Sequence, residues 1–355
     1  IKMLALRCAN QLVSSPAQFD NLSPLLVQSL KRYMSGVVEE NFKEMLLYVS
    51  KILRRLHGGR KCFLDGEPGF ALASAPEWAA LVQAAVQHAQ KMRKSILKKH
   101  KNANLADPET AEEIEDGLYD STEYFRNVME FCGELIKTAL PDPVKKILIE
   151  QLAPVYLELV RTGVGENEKI VGLCFFADHF EFGDQEFFDK FCEPVLAEAL
   201  RLLKTDESEA LRQTSAFLLG NSILRSQGKL PQLAAETLAA LGTLLAQNPQ
   251  PSDCVDNLVS AFLKILCLPG FASDSTADGG LQLVGSRVPL AHDLEEAVTL
   301  TKVLCWSHKA GGALFAQPQR LAWLKEAFKR TLEKRFEKEI IDQASKDYMR
   351  SVVSA

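Results

Sequence analysis

No stretch of the chain approaches 18 consecutive apolar residues, so nothing in it qualifies as a membrane-spanning helix. The alternation of apolar and polar residues that marks a half-buried strand is also missing, which argues against a β architecture. Cysteine occurs eight times but never as C-x-x-C. Cys8, Cys62, Cys132, Cys174, Cys192, Cys254, Cys267 and Cys305 fall mostly inside apolar helical runs, as buried free thiols in a reducing compartment do, rather than as a disulfide framework. Catalytic signatures are absent as well: no H-E-x-x-H, no G-x-S-x-G, no kinase set. The GVGEN at 163–167 is a helix-to-helix turn, because no GK[ST] follows it as a phosphate loop requires. Cys174 and His179, with Asp178 between them, offer too few ligands for a metal and no oriented base for a nucleophile. A basic excess is lacking too. The net charge of −5 and pI near 5.8 argue against direct nucleic-acid binding and favour a basic partner. The composition points to a protein that is not an enzyme, needs no cofactor or metal and crosses no membrane.

What the chain does have is a core and a period. With 47% hydrophobic residues it can bury apolar surface, which excludes disorder. Four stretches begin with polar residues and continue into apolar runs of helical period: EKIVGLCFFADHF from Glu168, LRQTSAFLLGNSIL from Leu211, VDNLVSAFLKIL from Val255 and LEEAVTLTKVL from Leu294. Aligned on Lys169, Arg212, Asp256 and Glu295, they are 43, 44 and 39 residues apart, the signature of a helical repeat. The periodicity predicts helices over 2–13, 19–34, 38–56, 76–100, 110–139, 143–161, 167–181, 185–204, 207–226, 231–247, 252–267, 293–309 and 318–350. Pairing 143–161 with 167–181, 185–204 with 207–226, and 231–247 with 252–267 makes three helical hairpins, which bury their apolar faces only by stacking. The expected fold is therefore an all-α solenoid. One array is expected over 1–355, interrupted by a Gly/Pro-rich link at 57–75, a charged loop and acidic segment at 101–123, and an irregular loop with at most one short helix at 269–292. The chain opens at Ile1 already inside a helical pattern and is expected to be a piece of a longer protein.

Five features resemble a known family. They are EKIVGLCFFADHFEFG (168–183), EALRQTSAFLLGNSI (209–223), DNLVSAFLKIL (256–266), VPLAHDLEEAVTLTKVLCWSH (288–308), and a long helix at 76–100 followed by an acidic stretch and YFRNVMEFCGELI (124–136). In this order they resemble the importin-β (karyopherin-β) superfamily of HEAT-repeat nuclear transport receptors, nearest the importin 5 subfamily and its C-terminal third. The resemblance covers residues 76 to 309, and the flanks by helical pattern alone. It implies a monomeric receptor segment shuttling between cytoplasm and nucleus through the nuclear pore and carrying basic cargo such as ribosomal proteins and histones. It also implies contacts with phenylalanine–glycine nucleoporins, and with the GTPase Ran mainly through N-terminal repeats that this chain lacks. A HEAT scaffold outside transport, of the phosphatase-regulatory or chromosome-organising kind, and an exportin are the competing expectations.

Candidate residues follow from charge. In such solenoids the second helices line the concave wall, so Asp178, Glu181, Asp256, Glu295 and Glu296 are candidate cargo carboxylates; acids in a first helical turn also have a purely local explanation in the helix dipole. The stretch KMRKSILKKHK (91–101) is followed by DPETAEEIEDGLYDSTE (107–123), whose Glu112, Glu113, Glu115 and Asp116 are either a solvated helix start or an acidic regulatory segment that competes for a basic partner. Seven phenylalanines, Phe175, Phe176, Phe180, Phe182, Phe187, Phe188 and Phe191, are read first as inter-repeat core and second as a groove for nucleoporin phenylalanines.

Overall fold

The structure, a computed structural model, describes residues 39–56, 75–102, 107–205, 207–247, 249–271, 274–334 and 341–355, together with Ser15, Gln18, Asn21 and Leu64. The expected helix at 2–13, that at 19–34 but for Asn21, and the 57–75 link but for Leu64 and Ala75, lie outside the described residues. No extended strand occurs among those described, and no helix among them is long and apolar enough to cross a membrane. The chain forms two compact units, the first ending at Phe188 and the second running from Asp189 to Ala355.

The first unit contains α1 (Glu39–Leu56), α2 (Ala75–Asn102), α3 (Pro108–Ile136), α4 (Asp142–Ile147), α5 (Ala153–Thr162) and α6 (Glu166–Phe182). Helix α2 packs on α3 and α5 on α6, so each pair is a hairpin. Hairpins then stack like on like: α1 against α3 and α3 against α6 form a row of second helices, while α2 lies on α4 in the row of first helices. A π-helical turn at Leu148–Leu152 joins α4 to α5. Pro154 lies two residues beyond its end, and a proline that cannot donate a backbone hydrogen bond is a usual cause of such a bulge. The α5–α6 approach is tight, because a Cβ on Gly172 would meet Val160 Cγ2 at 2.7 Å.

In the second unit follow α7 (Gln185–Thr205, its first residues belonging to the first unit), α8 (Glu209–Arg225), α9 (Pro231–Ala246), α10 (Asp253–Leu266), α11 (Asp274–Val284), α12 (Leu294–Lys309), α13 (Pro318–Glu333) and α14 (Gln343–Ser354). Here α8, α10, α12 and α14 form one row and α9, α11 and α13 the other. The second helices start on side-chain caps: Ser208 accepts from the Leu211 amide, Ser252 from Val255, Asp293 from Glu296 and Asp342 from Ser345. First helices more often open on proline, as at Pro231 and Pro318. The repeat read in the sequence is this alternation of layers.

Two expectations need correction. The single helix expected over 318–350 is two, α13 and α14. The acidic stretch at 108–123 forms the first turns of α3, in line with the helix expected over 110–139, started by the Asp107 cap, by Pro108 in the first turn and by acids that suit the positive end of the helix dipole. Residues 103–107 separate α2 from α3, and all but Asp107 lie outside the described residues. The 269–292 segment carries α11 and a 3₁₀ turn at Gly285–Arg287, and α11 occupies the first-helix position between α9 and α13. Its glycines were read as helix breakers. Gly280 instead permits close packing, since a Cβ there would lie 2.8 Å from Leu266 Cδ1 and from Phe262 Cε1.

Candidate functional site

In the first unit, the second-helix row carries a band of charge across α1, α3 and α6. Glu134 on α3 is almost fully buried, and one of its oxygens accepts from Arg54 Nε at 3.1 Å and Nη2 at 3.0 Å, with Lys137 Nζ at 3.5 Å. Arg126, one face along, is paired with Glu123. These pairings leave Glu130 and Asp178 under-compensated. Burial pushes both carboxyls up from their ordinary range; Lys137 and Arg54 pull Asp178 down, Arg54 and Arg126 pull Glu130 down, and in each case burial dominates. The Asp178 carboxylate lies over the bare backbone of Gly133, where a Cβ would come 2.3 Å from Oδ2. Chemically, such half-buried carboxylates favour an arriving cation.

The five candidate cargo residues separate in their surroundings. Asp178 is half-buried in this band, and Glu181, nearer the end of α6, is buried and has interactions of its own. In the second unit, Glu295 alone is exposed. Asp256 is buried, and its Oδ2 accepts from the amides of Ala291 at 2.9 Å, His292 at 2.6 Å and Asp293 at 3.0 Å. Glu296 is buried too, ion-paired with Lys264 and accepting from Ser260. Both carboxylates are occupied by the protein itself and offer nothing to a cargo. The physical reason is that α10 is enclosed: every residue from Cys254 to Leu268 is buried. The sequence held a signal for this. Asn221 and Lys264 are polar intrusions in apolar runs of adjacent repeats, 43 residues apart, and Lys264 Nζ donates to Asn221 Oδ1.

Glu112, Glu113, Glu115 and Asp116 are all exposed on α3, as are Lys94, Lys98, Lys99 and Lys101 on α2. The phenylalanines divide clearly. Phe175, Phe176, Phe180, Phe187, Phe188 and Phe191 are buried, Phe182 being half-exposed, and Phe175 stacks on Tyr156 and on His179 at centroid distances of 4.0 Å. The six buried rings belong to the core, as their first reading expected. His179 is fully buried with Nδ1 on the Phe175 carbonyl at 2.8 Å, and burial drives its pKa down to about 3. It stays neutral, and no group of three or more His, Cys, Asp or Glu among the described residues is placed to hold a metal ion.

No protein-family model matches the chain, and no curated protein does. Among solved structures, the crystal structure of the karyopherin Kap121p bound to the SUMO protease Ulp1p matches with a TM-score of 0.63 at 12% identity. The match covers 96% of this chain and 28% of that one, so the chain spans under a third of its length. At that identity the likeness is one of fold: this chain is an α-solenoid of helical hairpins, as a karyopherin is.

Proposed function

We propose that the chain is a segment of a nuclear transport receptor of the importin-β superfamily, nearest the importin 5 subfamily and drawn from its C-terminal part. It binds basic cargo, such as ribosomal proteins or histones, reversibly. In the intact receptor, which shuttles between cytoplasm and nucleus and contacts phenylalanine–glycine nucleoporins, GTP-loaded Ran acting on other repeats drives cargo release in the nucleus. The observation that carries this reading is the karyopherin likeness along nearly the whole chain. The under-compensated Asp178 and Glu130 add chemistry that suits a Lys- or Arg-rich segment, because clustered carboxylates attract a flexible basic peptide from a distance. Of the five candidate cargo carboxylates Glu295 is the exposed one, whereas Asp256 and Glu296 serve the fold.

The test is fluorescence anisotropy of a labelled Lys-rich peptide with the full chain, at low and high salt. Asp178→Asn with Glu130→Gln should weaken binding about tenfold, or 1.4 kcal/mol, and Glu236→Gln on α9 should leave it unchanged. Equal losses at both places would mean that only net charge matters. For the parent receptor, failure of GTP-loaded Ran to release basic cargo would favour a scaffold outside transport, and tighter cargo binding with Ran would favour an exportin.

A further inference from the structure

Among the described residues, Lys264 is the buried lysine, its ammonium enclosed by three helices: its side chain is 1% exposed and that of its partner Glu296 is 3%. It projects from α10, donates to Asn221 Oδ1 on α8, and pairs with Glu296 on α12; the Phe217 ring of α8 lies 5.6 Å away. One turn earlier on α10, Ser260 donates to the same Glu296 oxygen. Two turns earlier, Asp256 gathers the three amides that lead into α12, and Asn257 Nδ2 donates to the α12 cap Asp293 at 2.8 Å. The α8–α10 seam has no slack, since a Cβ on Gly220 would sit 2.8 Å from Ala261 Cα.

Such a joint cannot bend by degrees. Sliding α10 past a neighbour parts a buried ammonium from a buried carboxylate, and separated buried charges are the costly state, whereas intact pairs and fully hydrated ones are not. Packed interfaces of this kind have discrete states instead of continuous deformation. The joint after α12 is built differently. There α12 meets α14 through His308 Nδ1 on the Tyr348 hydroxyl at 2.8 Å and Lys309 Nζ over the Tyr348 ring at 4.3 Å, among residues that water reaches.

We propose that α8, α10 and α12 form a latched block, closed by Lys264 and Glu296, that opens in one step, and that changes of curvature in this unit are taken up at the α12–α14 joint. The inference concerns mechanics and stands whether or not the chain carries nuclear cargo.

Hydrogen exchange by mass spectrometry on the full chain, across a series of low urea concentrations, tests it. Peptides from 211–224, 254–266 and 294–305 should share one opening with one urea dependence, and 343–354 should exchange at least tenfold faster. Lys264→Met, which strands Glu296, should speed exchange in all three helices together. The apolar replacement Lys264→Met/Glu296→Leu/Ser260→Ala should fold with protection regained, but with α8 and α12 now opening independently. Separate openings of the three helices in the wild type would overturn the latch, as would a Lys264→Met effect confined to 254–266. Exchange of 343–354 in step with the block would overturn the assignment of the flexible joint.

Discussion

His179 should make the first unit acid-labile, and the size of the effect follows from its surroundings. The imidazole is fully buried between Phe175 at 4.0 Å and Phe187 at 4.8 Å. The proton on Nδ1 serves the Phe175 carbonyl, while Nε2 has no partner, so a second proton would place a charge in an aromatic cage. Burial lowers the folded pKa to about 3 from the ordinary 6.5. A depressed histidine takes up its proton in the unfolded chain first, so stability falls as pH drops below 6.5 and keeps falling until about 3. At about 1.4 kcal/mol per pH unit below the unfolded value, moving from pH 7.5 to 5.0 costs about 2 kcal/mol. The raised carboxyls of Asp178 and Glu130 work in the opposite direction, gaining stability as pH falls, and are removed by difference. The assay is urea unfolding followed by Trp78, fully buried in the same unit, with Trp306 and Trp323 replaced by Phe. His179→Phe should match the parent at pH 7.5 and exceed it by about 2 kcal/mol at pH 5.0. Parallel pH profiles for the two proteins would refute the reasoning.

Adjacent glycines of α11 should respond with opposite signs. Gly279→Ala, into open space, should stabilise by about 0.5–1 kcal/mol, whereas Gly280→Ala should destabilise by about 1–2 kcal/mol through overpacking against Phe262 and Leu266, both read from thermal unfolding. Asp256→Ala removes the acceptor of three amides and should cost about 2–3 kcal/mol, with faster hydrogen exchange at 291–298; unchanged exchange there would contradict the clamp. Native thiol labelling should reach Cys192 first among the described cysteines, because burial raises the pKa of Cys174, Cys267 and Cys305 to about 12 and that of Cys254 to about 11; early labelling of Cys267 would argue against the α10 packing.

Layer order was legible in the sequence because it is written twice, in apolar runs of helical period and in the polar residue that opens each second helix. Ser208, Ser252 and Asp293 recur 44 and 41 residues apart and each caps its helix as the pattern implies. Glycine was misread where composition is ambiguous, since the same residue breaks a helix in isolation and admits a neighbour in a stack; Gly279 and Gly280 differ only in what faces them. Carboxylates were misread for a related reason. Asp256 and Glu295 occupy matching positions in successive repeats, yet one clamps a turn and the other meets solvent. Position within a repeat says which helix a residue is on, and the segment packed against it decides whether its face is open. The band formed by Arg54, Glu134 and Lys137 was not visible at all, because its members come from helices 80 residues apart with no shared motif.

The enclosure of Lys264 also bears on how the protein is made. Asn221 lies 43 residues before it and Glu296 lies 32 after it. At a synthesis rate of roughly 5–20 residues per second, roughly 2–6 s separate the appearance of the lysine from that of its counter-ion. During that interval α8 and α10 are both present and can pack, with the ammonium on Asn221 and still open to water on the side that α12 will cover. The α12-facing side of α10, with Asn257 and Ser260, stays uncovered on the nascent chain. Each layer of the stack is finished by the one that follows it. A ribosome stalled just short of residue 296 would leave that side of α10 open to water, and one stalled a few dozen codons later, with α12 emerged, would not.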